Sequence, residues 1–81
     1  MNVHLYALST CPYCRMTKKY LDENNVSYDL TEVDLLEGAE KDAAVAEVKR
    51  LSGGTSFPVL VAGDQVVVGF NKGRITQVLG L

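Results

Sequence analysis

The sequence predicts an α/β fold, a mixed four-stranded sheet flanked by helices, and three observations predict it. Short apolar runs of strand length alternate with segments of helical periodicity along the whole chain of 81 residues. Two of those runs are separated only by Gly63-Asp64, a two-residue hairpin turn. The chain's two cysteines, Cys11 and Cys14, fall where the first strand pattern gives way to the first helix pattern. The predicted order is strand, helix, strand, helix, strand, strand, helix, in one domain over residues 1–81. Its first strand–helix–strand unit is expected to be a right-handed parallel crossover, to which the hairpin adds antiparallel strands. In such a sheet the cysteines sit at the carboxyl end of the first strand, where ligands dock in open α/β folds.

The elements follow in order. Val3 to Leu8 reads as a strand, broken by Ser9 and Thr10. Pro12 suits a first helical turn because the N–H it lacks would be unpaired there. Tyr13, Met16, Thr17, Tyr20 and Leu21 recur at helical spacing, so a helix is expected from Pro12 to Glu23, ended by Asn24-Asn25. Val26 to Val33 reads as an apolar-rich strand. Glu37 to Leu51 is rich in Ala, Glu and Lys and reads as a helix stopped by Gly53-Gly54. Pro58 to Ala62 and Gln65 to Val68 are the hairpin strands. Asn71 is placed to cap a last helix with Ile75, Val78 and Leu79 as its apolar stripe.

Composition excludes several functions. A net charge of −2 lacks the basic surplus of a nucleic-acid binder. No apolar run approaches the length of a membrane span. The N-terminal residues carry no basic stretch followed by a long apolar one, so no export signal is read, and a cytoplasmic, reducing location is expected. No repeat, linker or low-complexity segment is visible.

Cys11-Pro12-Tyr13-Cys14 carries the chemistry. A thiol at a helix N-terminus faces unpaired backbone N–H groups and the positive end of the helix dipole, which favour thiolate. Its neighbour one turn on can close onto it as a disulfide. Zinc wants four ligands, and beyond the cysteines only His4 is at hand. A structural disulfide of this spacing closes almost no loop and constrains the unfolded chain little. A cysteine protease site would need His4 as its base, with nothing to orient it. His4 itself reads as an ordinary sheet residue. A redox pair is the favoured reading.

On these residues the chain resembles the glutaredoxins, of the dithiol type within the thioredoxin-fold superfamily, over nearly its whole length. Cys11-Pro12-Tyr13-Cys14 matches the dithiol motif. Thr55-Ser56-Phe57-Pro58 stands where the family has Thr-Val-Pro with a cis proline. Val68-Gly69-Phe70-Asn71-Lys72 stands where it has Gly-Gly-x-Asp-Asp. The departures from the pattern that matter are Leu8, in place of a common lysine, and Asn71-Lys72, in place of the acidic pair that holds the γ-glutamyl end of glutathione.

The resemblance implies a thioredoxin-like βαβαββα fold and a thiol–disulfide oxidoreductase, with Cys11 as nucleophile and Cys14 as resolving thiol. Glutathione is the implied co-substrate, with no bound cofactor or metal. Tyr13, Phe57, Pro58, Asn71 and Lys72 are the implied glutathione or substrate contacts, supported by Pro12, Arg15, Ser56 and Gly69. A cis bond before Pro58 would leave the Phe57 backbone free to pair with a substrate strand. The implied partners are glutathione and disulfide-containing or glutathionylated proteins, with the chain a monomer. The Gly69-Phe70 pair also resembles redoxins reduced by thioredoxin reductase that serve ribonucleotide reductase. Glutathione-dependent iron–sulfur cluster carriage is a third class, disfavoured by the proline after Cys11.

For Arg15, Lys18 and Lys19 two readings stand together. They form an electropositive surround that lowers the Cys11 pKa, or a solvated face with Lys18–Asp22 and Lys19–Glu23 pairs. Lys49 and Arg50 are either carboxylate contacts or cations placed by the helix dipole.

Overall fold

A computed structural model describes residues 2–81. Its elements are β1 (Val3–Ala7), α1 (Pro12–Glu23), β2 (Asp29–Glu32), a 3-10 turn (Val33–Leu35), α2 (Gly38–Ser52), β3 (Val59–Ala62), β4 (Gln65–Val68) and α3 (Lys72–Leu79). The sheet has four strands in the order β2-β1-β3-β4. β1 pairs parallel with β2 and antiparallel with β3, and β3 pairs antiparallel with β4. This is the predicted mixed sheet and element order.

Strand alternation sorts the side chains onto two faces. Val3, Leu5 and Ala7 of β1 join Leu60, Ala62 and Val67 under Cys14 and Leu21 of α1 and Ile75 of α3, forming one buried core. His4 and Tyr6 point to the other face, where Tyr6 feels Glu47 and Arg50 of α2. There His4 behaves as the sheet residue expected: its ring stacks on Tyr6 at 4.3 Å, and its Nε2 hydrogen-bonds the Thr31 hydroxyl at 2.7 Å.

Two strand readings need correction. β1 ends at Ala7, because Leu8 turns away and aims its N–H at the Cys14 sulfur. The expected strand from Val26 shrinks to Asp29–Glu32. Asn25, at φ 56°, takes the left-handed conformation and donates to Asp22, while the Val26 N–H returns to the Leu21 carbonyl at 3.0 Å. Together these bonds make a Schellman cap on α1, and the apolar Val26 closes that cap instead of starting a strand. On α1 the inward stripe is Cys14, Thr17 and Leu21, with Tyr20 packed at its edge. Tyr13 and Met16 face solvent, 61% and 47% exposed.

The remaining boundaries hold to within a residue. Gly53 ends α2 in the left-handed conformation, where a side chain would be strained. Asn71 caps α3 as expected, its side-chain oxygen accepting the Arg74 N–H at 3.1 Å.

Candidate active site

The site is built at the start of α1. Cys11 is the N-cap residue, with extended backbone, and Pro12 fills the first helical position. The N-cap role is normally taken by a small oxygen-bearing side chain; here a sulfur occupies it. The Cys14 N–H donates to Cys11 Sγ at 3.4 Å. Both cysteines are free thiols, Cys11 half-buried and Cys14 buried.

Their environments pull the two thiols apart. Burial acts to raise the Cys11 pKa, but the Cys14 side chain, the N–H groups of Cys14 and Tyr13, and the Lys18 ammonium outweigh it and hold the thiol below its ordinary value. Cys14 is pushed up to about 11, by burial first and then by its hydrogen bond to Cys11, although the Leu8 N–H works the other way. One sulfur is therefore set to be an anion while its neighbour keeps its proton and donates to it.

The expected electropositive surround is narrower than the sequence suggested. The cation acting on Cys11 is Lys18, while Arg15 points into solvent. Lys18 does not pair with Asp22 along the helix; it reaches Glu32 of β2 at 2.9 Å. The reason is position: Lys18 follows Cys14 by one turn on the side of α1 that faces the sheet, where β2 offers a nearer carboxylate. Lys19 and Glu23 do approach as expected, at 4.0 Å and well exposed. Arg50 is held by Glu47 on its own helix.

The other expected site residues lie on the segments that lead into β3 and α3, and Lys72 at the first position of α3. The Phe57-Pro58 bond is cis. Pro58 is buried, Ser56 is exposed, and Phe57 packs half-buried against the core along with Cys11. The Gly69 N–H donates to the Pro58 carbonyl at 2.8 Å, tying this segment to the turn that leads into α3. Gly69 has φ 80°, which a residue with a side chain rarely adopts. Asn71 and Lys72 are exposed at the start of α3. Lys72 lies over the Tyr20 ring, 5.1 Å from its centroid. It lines a groove of about 280 Å³ with Met16, Lys19, Tyr20, Glu23 and Phe70. The structure thus joins Lys72 to the outer side of α1.

Sequence reading missed two groups that shape this site. Leu8 supplies a backbone N–H to Cys14 Sγ at 3.4 Å, and Ser9 is bound by Asp34 of the 3-10 turn. Neither leaves a pattern in the sequence, since one is a backbone contact and the other joins residues 25 positions apart. Among the described residues no cluster of His, Cys, Asp or Glu is arranged to hold a metal ion. No helix among them is long and apolar enough to cross a membrane.

Fold and site together define a thioredoxin-like protein carrying a dithiol at the first helix N-terminus. The glutaredoxin family model matches residues 3–67, and the chain belongs to that family. An uncharacterized glutaredoxin-like 8.6 kDa protein in the rubredoxin operon of Clostridium pasteurianum is 31% identical, over 95% of this chain and 96% of its own. Methanoredoxin from Methanosarcina acetivorans superposes with a TM-score of 0.94 at 37% identity, over 99% of this chain and 85% of its own. The glutaredoxin-like protein NrdH-redoxin from Escherichia coli, described as having a thioredoxin-like activity profile, superposes with a TM-score of 0.77 at 27% identity. That match covers 95% of this chain and 93% of the redoxin.

Proposed function

We propose that the protein is a glutathione-dependent thiol–disulfide oxidoreductase working through Cys11 and Cys14. The observation that carries the dithiol chemistry is Cys11 capping α1 with the Cys14 N–H on its sulfur, Cys11 held low and Cys14 raised to about 11 beside it; the Cys11-Pro12-Tyr13-Cys14 motif is what favours glutathione as the donor. The Cys11 thiolate attacks one sulfur of a substrate disulfide; a mixed disulfide forms and the other substrate sulfur leaves as thiolate. Cys14 then loses its proton and attacks the Cys11 sulfur. The Cys11–Cys14 bond forms, and the second substrate sulfur leaves with the electron pair. Two glutathione molecules return the pair to dithiol by the same exchange and leave as oxidised glutathione.

The order of the steps has a physical basis. Two influences that raise Cys14, its hydrogen bond to Cys11 and the Cys11 charge, exist only while the Cys11 sulfur is an anion. Locking that sulfur in a mixed disulfide removes both, so Cys14 becomes more acidic when its attack is needed. On glutathionylated proteins Cys11 alone suffices, a second glutathione completing the turnover.

A second reading takes electrons from thioredoxin reductase and passes them to ribonucleotide reductase. It is favoured by Leu8, by Lys72 lying over Tyr20, and by the likeness to NrdH-redoxin. A coupled NADPH assay separates the two. Turnover with glutathione and its reductase supports the first reading; turnover with thioredoxin reductase alone replaces it with the second. In either case Cys11→Ser should abolish disulfide reduction; with glutathione as the donor, Cys14→Ser should spare some reduction of glutathione mixed disulfides.

A further inference from the structure

Asp34 touches neither cysteine, yet it grips the loop that carries them. Its two carboxylate oxygens receive both donors of Ser9, the backbone N–H at 2.8 Å and the hydroxyl. Ser9 lies in the turn between β1 and α1. On one side of it, Leu8 sends its N–H to Cys14 Sγ at 3.4 Å. On the other, the Cys11 N–H returns to the Leu8 carbonyl at 3.2 Å. A carboxylate taking a backbone and a side-chain donor from one residue fixes both its backbone and its rotamer, more firmly than water would. The Ser9 hydroxyl, and then its N–H, hold the Asp34 carboxyl below the usual range, so the grip is that of an anion.

We propose that Asp34 is a positioning residue for the resolving step, holding the Leu8 amide on the Cys14 sulfur by way of Ser9. The inference rests on the reading that Cys14 resolves the mixed disulfide. In that step Cys14 gives its proton to solvent and its sulfur attacks Cys11. The Cys11–Cys14 bond forms as the bond from Cys11 to the substrate sulfur breaks, and the substrate leaves as thiolate. The Leu8 N–H is a backbone donor that steadies the Cys14 anion in its buried setting, and it fixes the direction from which that sulfur approaches. The N–H groups that favour the Cys11 anion belong to Tyr13 and Cys14 of α1, and do not pass through Ser9. Losing the grip of Asp34 should slow the second step and spare the first.

The test mixes reduced protein with an aromatic disulfide whose released thiolate is coloured. In the parent, a concentration-dependent release reports attack by Cys11, and a first-order release reports attack by Cys14. Asp34→Asn and Ser9→Ala are each expected to slow the first-order phase by about tenfold and keep the first within about twofold. Ser9→Thr, which retains the hydroxyl, should restore the parent rate. Ser9→Ala removes a single oxygen, so it decides the matter should Asp34→Asn fail to fold. An unchanged second phase, or equal slowing of both phases, would overturn the role of Asp34. A parent that releases a single thiolate, as Cys14→Ser should, would sink the assignment of Cys14 and this inference with it.

Discussion

Lys18 of α1 meets Glu32 at the end of β2 at 2.9 Å, with 21% and 23% of the two side chains exposed. Lys18 is one helical turn beyond Cys14 and two beyond Cys11, on the side of α1 turned to the sheet. Burial raises both thiols, and the Lys18 ammonium works against it at each. The partner carboxylate holds that ammonium in place where a solvated lysine would wander.

Lys18→Met should therefore raise the pH at which Cys11 becomes reactive, while Arg15→Met should leave it where it is. The rate of Cys11 alkylation against pH, measured on the Cys14→Ser background, reads this directly. An equal shift from both substitutions would mean that the field around Cys11 is diffuse.

Cys14 offers a test of the order of steps. With Cys11→Ala, neither the hydrogen bond to Cys11 nor its charge remains, and the Cys14 pKa should fall from about 11. Burial stays, so it should remain above the ordinary thiol value of about 8.5. Ultraviolet thiolate absorbance against pH follows it. A midpoint that stays at about 11 would show that burial alone sets this thiol, and the coupling between the steps would be lost.

What the sequence disclosed and what it hid divide along a physical line. The dithiol, α1 and the hairpin were legible because Pro12, the cysteine spacing and Gly63-Asp64 each act through their own neighbours. Val26 misled because an apolar residue after a helix looks the same whether it begins a strand or closes a cap. The spacing of Tyr13, Met16, Thr17, Tyr20 and Leu21 disclosed the helix but not which of its adjacent stripes faces the sheet, which the structure gives to Cys14, Thr17 and Leu21. The grip of Asp34 on Ser9 and the reach of Lys18 to Glu32 were invisible, since both depend on the register of β2 against β1, which sets Glu32 opposite Ala7.

Asn71 has a capping role that can be separated from any role in binding. Its side chain accepts the Arg74 N–H, and Asn71→Ala should lower stability by about 1 kcal/mol. Asn71→Asp keeps the cap and adds a charge. If Asn71 also meets glutathione, the alanine variant should raise the KM for glutathione beyond what the aspartate variant does. Equal KM values in parent and alanine variant would restrict Asn71 to the helix.

The pairing of Ser9 with Asp34 makes a prediction about acid stability. Asp34 is held below its ordinary carboxylate value, chiefly by the Ser9 hydroxyl and then by the Ser9 N–H. A carboxyl whose folded pKa is depressed contributes stability that is full above its unfolded value of about 3.9. That contribution is lost as pH falls through the lower folded value, because the proton then binds the folded and unfolded forms alike. At neutral pH, Asp34→Asn should unfold at lower urea concentration than the parent, since the amide accepts only one of the two Ser9 donors well. As the solution is acidified below about 3.9, the parent should lose stability towards the variant and the gap should close. Urea midpoints for the two proteins, taken stepwise from neutral to strongly acid pH, measure that gap. A gap that persists unchanged into strong acid would mean that Asp34 holds Ser9 by shape, with its charge contributing nothing.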